Sequence, residues 1–208
     1  MKASKPYPTF LSIIFLLSLT ACVNSEKKSK SPSEENKKEA EGTSEETSIA
    51  LPQKGDYKKL FALDDQCKIT KTEIATLYGI SISDVKETYN HTNTNGGTYC
   101  SFHLSLNNNT ETVFGVTSFK MPNAQVRDEI SNWVTGSYEK KFLQISDSGD
   151  HYIWKHPNQG YYMLYNPAYA NGIKIQYRTM LKMDETQKKY LEQKGIQALD
   201  YLIEKYKN

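Results

Sequence analysis

No familiar catalytic signature appears in this chain. HExxH, GxSxG, a glycine-rich phosphate loop and CxxC are all absent, which removes the usual sequence grounds for a zinc protease, an α/β-hydrolase, a nucleotide-binding loop or a paired-thiol site. No apolar run reaches the roughly 20 residues that a bilayer-spanning helix needs. The longest, Phe10 to Leu19, is short and broken by serines. Cysteine is scarce, with three in 208 residues. Charge of either sign is nearly balanced, 26 basic against 24 acidic residues for a net of +2, with no basic stripe. A chain without that electrostatic footprint is a poor nucleic-acid binder, and no nucleic-acid partner is expected.

The N-terminus holds the clearest pattern. Lys2 and Lys5 precede the Phe10–Leu19 run, the charge-then-apolar layout of a signal peptide. Leu19-Thr20-Ala21-Cys22 follows and resembles the lipobox of bacterial lipoprotein precursors. The resemblance implies that residues 1–21 are a signal peptide, that the Cys22 sulfur takes a diacylglyceryl group, and that cleavage falls just before it. Several acyl chains, such as palmitate, anchor stably where one would not, because each buried methylene adds about 0.8 kcal/mol of membrane affinity. Val23 follows with no aspartate beside it. In a Gram-negative cell, lipoproteins of this kind go to the outer membrane. The expected location is therefore the cell envelope, with the folded part in the periplasm or at the cell surface.

Residues 22–56 read as a lipidated cysteine and a charged tether. The stretch SEKKSKSPSEENKKEAEGTSEETS has no aromatic and no large aliphatic residue, so it cannot bury enough apolar surface to offset chain entropy and is expected to be disordered. A coil of about 30 residues spans roughly 30 Å. Loss of Lys2 and Lys5 with the signal would bring the net charge of +2 to zero.

Residues 57–208, about 150, have the size of one domain with one core. With Cys22 lipidated, Cys67 and Cys100 are left as an even pair in an exported chain, which most simply form a disulfide. Thr70-Lys71-Thr72-Glu73 is a capping box and Gly79 a stop, predicting a helix over Lys71–Tyr78. A second helix is expected after Pro122-Asn123, with Val126, Ile130, Trp133 and Val134 at helical spacing and Gly136 as terminator. The longest is expected from Asp184-to-Gln187 onward, along the stripe Leu191, Ala198, Leu199, Leu202, Ile203 and Tyr206. Gly195 within it lowers helix propensity by about 1 kcal/mol relative to alanine, or lets another backbone approach. Alternating apolar and polar residues predict strands over Thr98–Leu106, Thr112–Phe119, Phe142–Ser146, Tyr152–Lys155, Tyr161–Tyr165 and Gly172–Thr179. The Asn90–Gly97 stretch, with His91, reads as a loop. The order gives an α+β fold, an antiparallel meander packed on two or three helices.

Cys67, the capped segment Thr70–Gly79, Tyr99-Cys100-Ser101-Phe102, Gly149-Asp150 ahead of Tyr152–Trp154, and the terminal helix occur here in one order. That order resembles a group of small uncharacterised bacterial lipoproteins, some with a PsbP-like fold. The resemblance implies a helix-flanked antiparallel sheet used for binding.

The densest polar cluster is Asp147-Ser148-Gly149-Asp150-His151, with His156 beyond. It is the basis of an alternative reading as an envelope hydrolase or metal-dependent enzyme, since carboxylates and imidazoles at such spacing can hold a divalent cation. Ser-Gly between aspartates is also ordinary turn chemistry, with both carboxylates accepting local backbone N–H groups, and this is the reading preferred here. His103 and His91 have no serine elbow or spare thiol to act with. Trp133, Trp154, Tyr161, Tyr162, Tyr165, Tyr169 and Tyr177 crowd the second half. Such rings fill cores and also make contact faces. Tyr169, in the Asn166–Gly172 loop, is expected to project toward a partner. The sequence thus points to a tethered, non-enzymatic module with no metal or cofactor, its partner an unknown protein or envelope component.

Overall fold

A computed structural model describes residues 50–92, 96–107, 110–136, 142–178 and 183–208. The expected signal peptide, Cys22 and most of the expected tether lie outside the described residues. The described chain falls within one compact unit, Ser44–Asn208.

Three helices and seven strands form among the described residues: α1 (Lys71–Tyr78), β1 (Val85–Thr92), β2 (Thr98–Ser105), β3 (Glu111–Lys120), α2 (Asn123–Thr135), β4 (Leu143–Ile145), β5 (Tyr152–Lys155), β6 (Tyr161–Tyr165), β7 (Asn171–Gln176) and α3 (Glu185–Tyr206). The fold is α+β. All strands join one antiparallel sheet in the order β1-β2-β3-β7-β6-β5-β4. This is two meanders and not one: α2 carries the chain from β3 to the far edge, and β4 to β7 work back until β7 pairs with β3.

The helix ends form as the sequence predicts. Thr70 and Glu73 make the reciprocal capping box of α1, and Gly79 ends it in the left-handed region at φ 66°. Asp184 and Gln187 do the same at α3. Each box satisfies backbone N–H groups that have no partner inside the helix.

Paired residues in an antiparallel ladder point to the same face. On one face Cys100, Phe102, Leu104, Phe114, Val116, Leu164, Ile173 and Ile175 meet Ile74, Leu191, Leu199, Leu202 and Ile203 from α1 and α3. Gly195 lets α3 lie close, although its neighbours are rings and not backbone: an added Cβ would come within 2.6 Å of Tyr177 Cδ1 and 3.1 Å of Tyr162. A second core forms on the other face, where Val126, Ile130 and Trp133 of α2 cover Tyr152, Trp154 and Tyr165. Trp133 and Trp154 stack at 4.9 Å.

Cys67 and Cys100 form the disulfide, their Cα atoms 5.9 Å apart, which ties the segment before α1 to the middle of β2. Closing that loop stabilises the fold by about 4 kcal/mol in the chain-entropy picture.

Two expectations need correction. Val85–Thr92 is a strand, so His91 sits on β1 and not in a loop. Only Val85 of that strand is buried; as an edge strand with little packed against it, β1 carries no apolar alternation. Packing also begins ahead of Tyr57. Leu51 joins the α2 core, and the Gln53 and Asn166 side-chain amides pair reciprocally at 3.1 and 3.2 Å.

Candidate functional site

Two places are candidates and they differ in kind; only the first holds residues that sequence reading singled out. The first is a buried node where the N-terminal segment crosses the turn before β5. Asp150 and His151 are both 0% exposed. Asp150 Oδ1 accepts from the Ser148 hydroxyl at 2.6 Å and lies 2.7 Å from His151 Nδ1. An ionised carboxylate only accepts, so Nδ1 carries the hydrogen and donates. The other carboxylate oxygen accepts the backbone N–H of Lys54 at 3.2 Å, across 96 residues of sequence. Burial would raise the Asp150 pKa, but the Ser148 and Tyr57 hydroxyls and the adjacent His151 outweigh it and hold it down at about 2. Burial pushes the His151 imidazole below its ordinary value, only partly opposed by Asp150. The pair is therefore a carboxylate beside a neutral imidazole.

Aromatic rings close around this pair. Tyr57 meets the His151 ring edge-on at 4.4 Å, and Phe61 stacks at 5.8 Å. Tyr169 stacks on Phe61 at 5.0 Å, and its hydroxyl accepts the Tyr57 backbone N–H at 2.8 Å. Asp56 and Asn208 exchange backbone hydrogen bonds at 3.1 and 3.3 Å, so the segment is also clasped to the chain's other end.

The expected arrangement therefore changes in three respects. Asp150 is a long-range anchor and not a turn cap, while Asp147 stands exposed. His156 turns away from the node: its Nδ1 accepts the backbone N–H groups of Asn158 and Gln159 at 3.1 and 2.9 Å, closing the β5–β6 turn. Tyr169 does not project; its half-buried ring is committed to Phe61 and to the N-terminal strap, the segment 54–61 that crosses the node.

A hydrolytic triad needs a nucleophile at the imidazole nitrogen opposite the carboxylate. Here His151 Nε2 is buried, with no hydrogen-bond partner among the described residues. The nearby serines stand on the wrong side: Ser146 bonds Ser148 at 2.8 Å, and Ser148 bonds the carboxylate. No three His, Cys, Asp or Glu side chains among the described residues converge on a metal-sized space. As arranged, the node braces structure.

The second place is the half of the sheet that α2 leaves open. One row of paired residues crosses the sheet as Tyr99, Thr117, Lys174, Met163, Trp154 and Leu143. Its second half lies in the α2 core. Its first half lines a shallow, open groove of about 470 Å³ with Tyr89 and Gln176. A β-bulge builds this groove. Glu87 pairs with Phe102 but Tyr89 pairs with Ser101, leaving Thr88 as the extra residue. The inserted residue reverses the alternation, so Tyr89 and His91 join Tyr99 on the open face. Thr88 fixes the bulge by bonding the Ser101 carbonyl and hydroxyl, both at 3.1 Å. Gly115 keeps the groove floor low beside Tyr99; a Cβ there would meet the ring at 3.2 Å.

Sequence reading missed this site because its rim comes from β1. A search of family models, curated proteins and solved structures finds no match to this chain.

Proposed function

We propose that this protein is a membrane-anchored lipoprotein of the cell envelope whose folded unit binds a partner and does not catalyse. Cys22, lipidated, would hold it to the membrane, and the tether would carry the domain clear of the surface. Among the described residues no helix is long and apolar enough to cross a membrane, and the lipid supplies the attachment in this reading.

The observation that carries the proposal is the open half-sheet. A bulge turns Tyr89 toward it, and Tyr89 remains 49% exposed. Large rings held rigidly at a surface give contact area at little entropic cost. The alternative enzyme has its carboxylate and imidazole at the node, but both are buried, and among the described residues no nucleophile bonds His151 Nε2.

The test is photo-cross-linking in living cells. A photo-reactive phenylalanine replaces Tyr89 in one full-length protein and Ile145, on the opposite sheet edge, in another. The proposal expects an adduct from position 89 and none from 145. Equal labelling at both, or none at 89, would overturn it.

A further inference from the structure

We propose that the groove over Tyr89 and Tyr99 takes an acidic carbohydrate, a sugar chain carrying carboxylate groups. This rests on the binding-module reading and names its ligand. Tyr89 and Tyr99 pack tilted on each other, centroids 5.5 Å apart and planes inclined at 47°, and Tyr89 stays 49% exposed, so the pair offers one angled aromatic platform. The C–H-rich face of a pyranose ring packs on such a platform, while its rim of hydroxyls reaches polar groups. Those groups are present: the Thr117 hydroxyl and the Gln176 amide offer both donors and acceptors, the mixture that sugar hydroxyls require.

Charge sets the substituent. Among the described lining residues Lys174 is the single charged group, and none is a carboxylate. Its ammonium lies 5.5 Å over the Tyr161 ring, which holds it at the end of the groove nearest α2. A sugar carboxylate there gains a charge-assisted hydrogen bond. One cation suits a spaced acidic sugar and falls far short of a phosphate-backbone track. An extended peptide is disfavoured for a different reason. Peptides that add to sheets use the main-chain groups of an edge strand, whereas the side chains that line this groove stand on the sheet face, across β1, β2, β3 and β7, and not along the free edge of β1.

The experiment is titration calorimetry on the full-length protein in detergent. The probes are tetragalacturonate, a neutral cellotetraose, and tetraglutamate as a peptide of equal charge. Tetragalacturonate is expected to bind, with affinity falling as salt rises. Tyr89→Ala, at an exposed position where folding is not at stake, should weaken it about tenfold, and Lys174→Gln about fivefold. Cellotetraose binding equally well would overturn the acidic assignment, and tetraglutamate binding equally well would overturn the carbohydrate. If no sugar binds while Tyr89 still cross-links in cells, the carbohydrate inference fails and the binding module stands. If neither occurs, both fail.

Discussion

Replacing Asp150 with alanine separates a structural node from a turn cap. Three donors converge on this carboxylate: the Ser148 hydroxyl at 2.6 Å, His151 Nδ1 at 2.7 Å and the Lys54 N–H at 3.2 Å. Hydrogen bonds to charged groups contribute about 1.5–3 kcal/mol each, and a buried donor left alone costs about 1–3 kcal/mol. Ser148 can turn its hydroxyl wholly to Ser146, and Lys54 lies near the surface. His151 has neither escape. The expected loss is about 3–4 kcal/mol, against about 1 kcal/mol for a lost cap, and a large share of the 5–15 kcal/mol typical of whole domains. Urea unfolding followed by the fluorescence of Trp133 and Trp154 measures it. A loss of about 1 kcal/mol or less would refute the reasoning. The pH dependence gives an independent check. Asp150 is held at about 2 against an unfolded 3.8, so its stabilisation is complete above 3.8 and fades as pH falls toward 2. That difference is worth about 2 kcal/mol. His151 is also depressed, so the unfolded imidazole binds a proton first, and stability starts to decline once pH drops below about 6.5. The native protein should lose stability in both windows, and Asp150→Ala should lose less in the lower one, where Glu73, held at about 2 against 4.5, still contributes.

Other substitutions test other parts of the account. Gly195→Ala should destabilise by about 1–3 kcal/mol despite alanine's better helix propensity, because the new methyl meets the Tyr177 ring; a gain in urea midpoint would contradict that packing. Replacing Cys67 and Cys100 together by serine should cost about 3–4 kcal/mol, and the native protein should show no alkylatable thiol at either position before reduction. Cys22→Ser should release the protein from membranes or block its processing. Normal maturation with continued sedimentation would remove the lipid anchor.

What the sequence made legible is local. Thr70-to-Glu73 and Asp184-to-Gln187 mark helix starts because a cap is written within four residues. Ile173, Ile175 and Tyr177 mark a strand because one side of it is buried. The disulfide followed from having two cysteines left to pair. The rest depends on contacts far apart in the chain. Asp150 looked like part of a hairpin because Ser148-Gly149 lies beside it, yet what defines it is Lys54, Tyr57 and Phe61, brought over by the N-terminal strap. Tyr169 looked free because it follows Asn166-Pro167-Ala168, and Phe61 is what buries it. β1 was invisible because an edge strand needs no apolar alternation, and the groove went with it, since a bulge at Thr88 turns Tyr89 to the open face.

The central claim is that binding resides in the groove and stability in the node. The most direct measurement compares Tyr99→Ala with Asp150→Ala in full-length protein, recording capture by isolated cell envelopes and urea midpoint side by side. Tyr99→Ala should reduce capture at least about tenfold, a change of about 1.4 kcal/mol, with a midpoint close to native. Asp150→Ala should lower the midpoint and, under conditions where it stays folded, capture as well as the native protein. Capture lost with Asp150 and kept without the Tyr99 ring would place the functional site at the node and contradict the account.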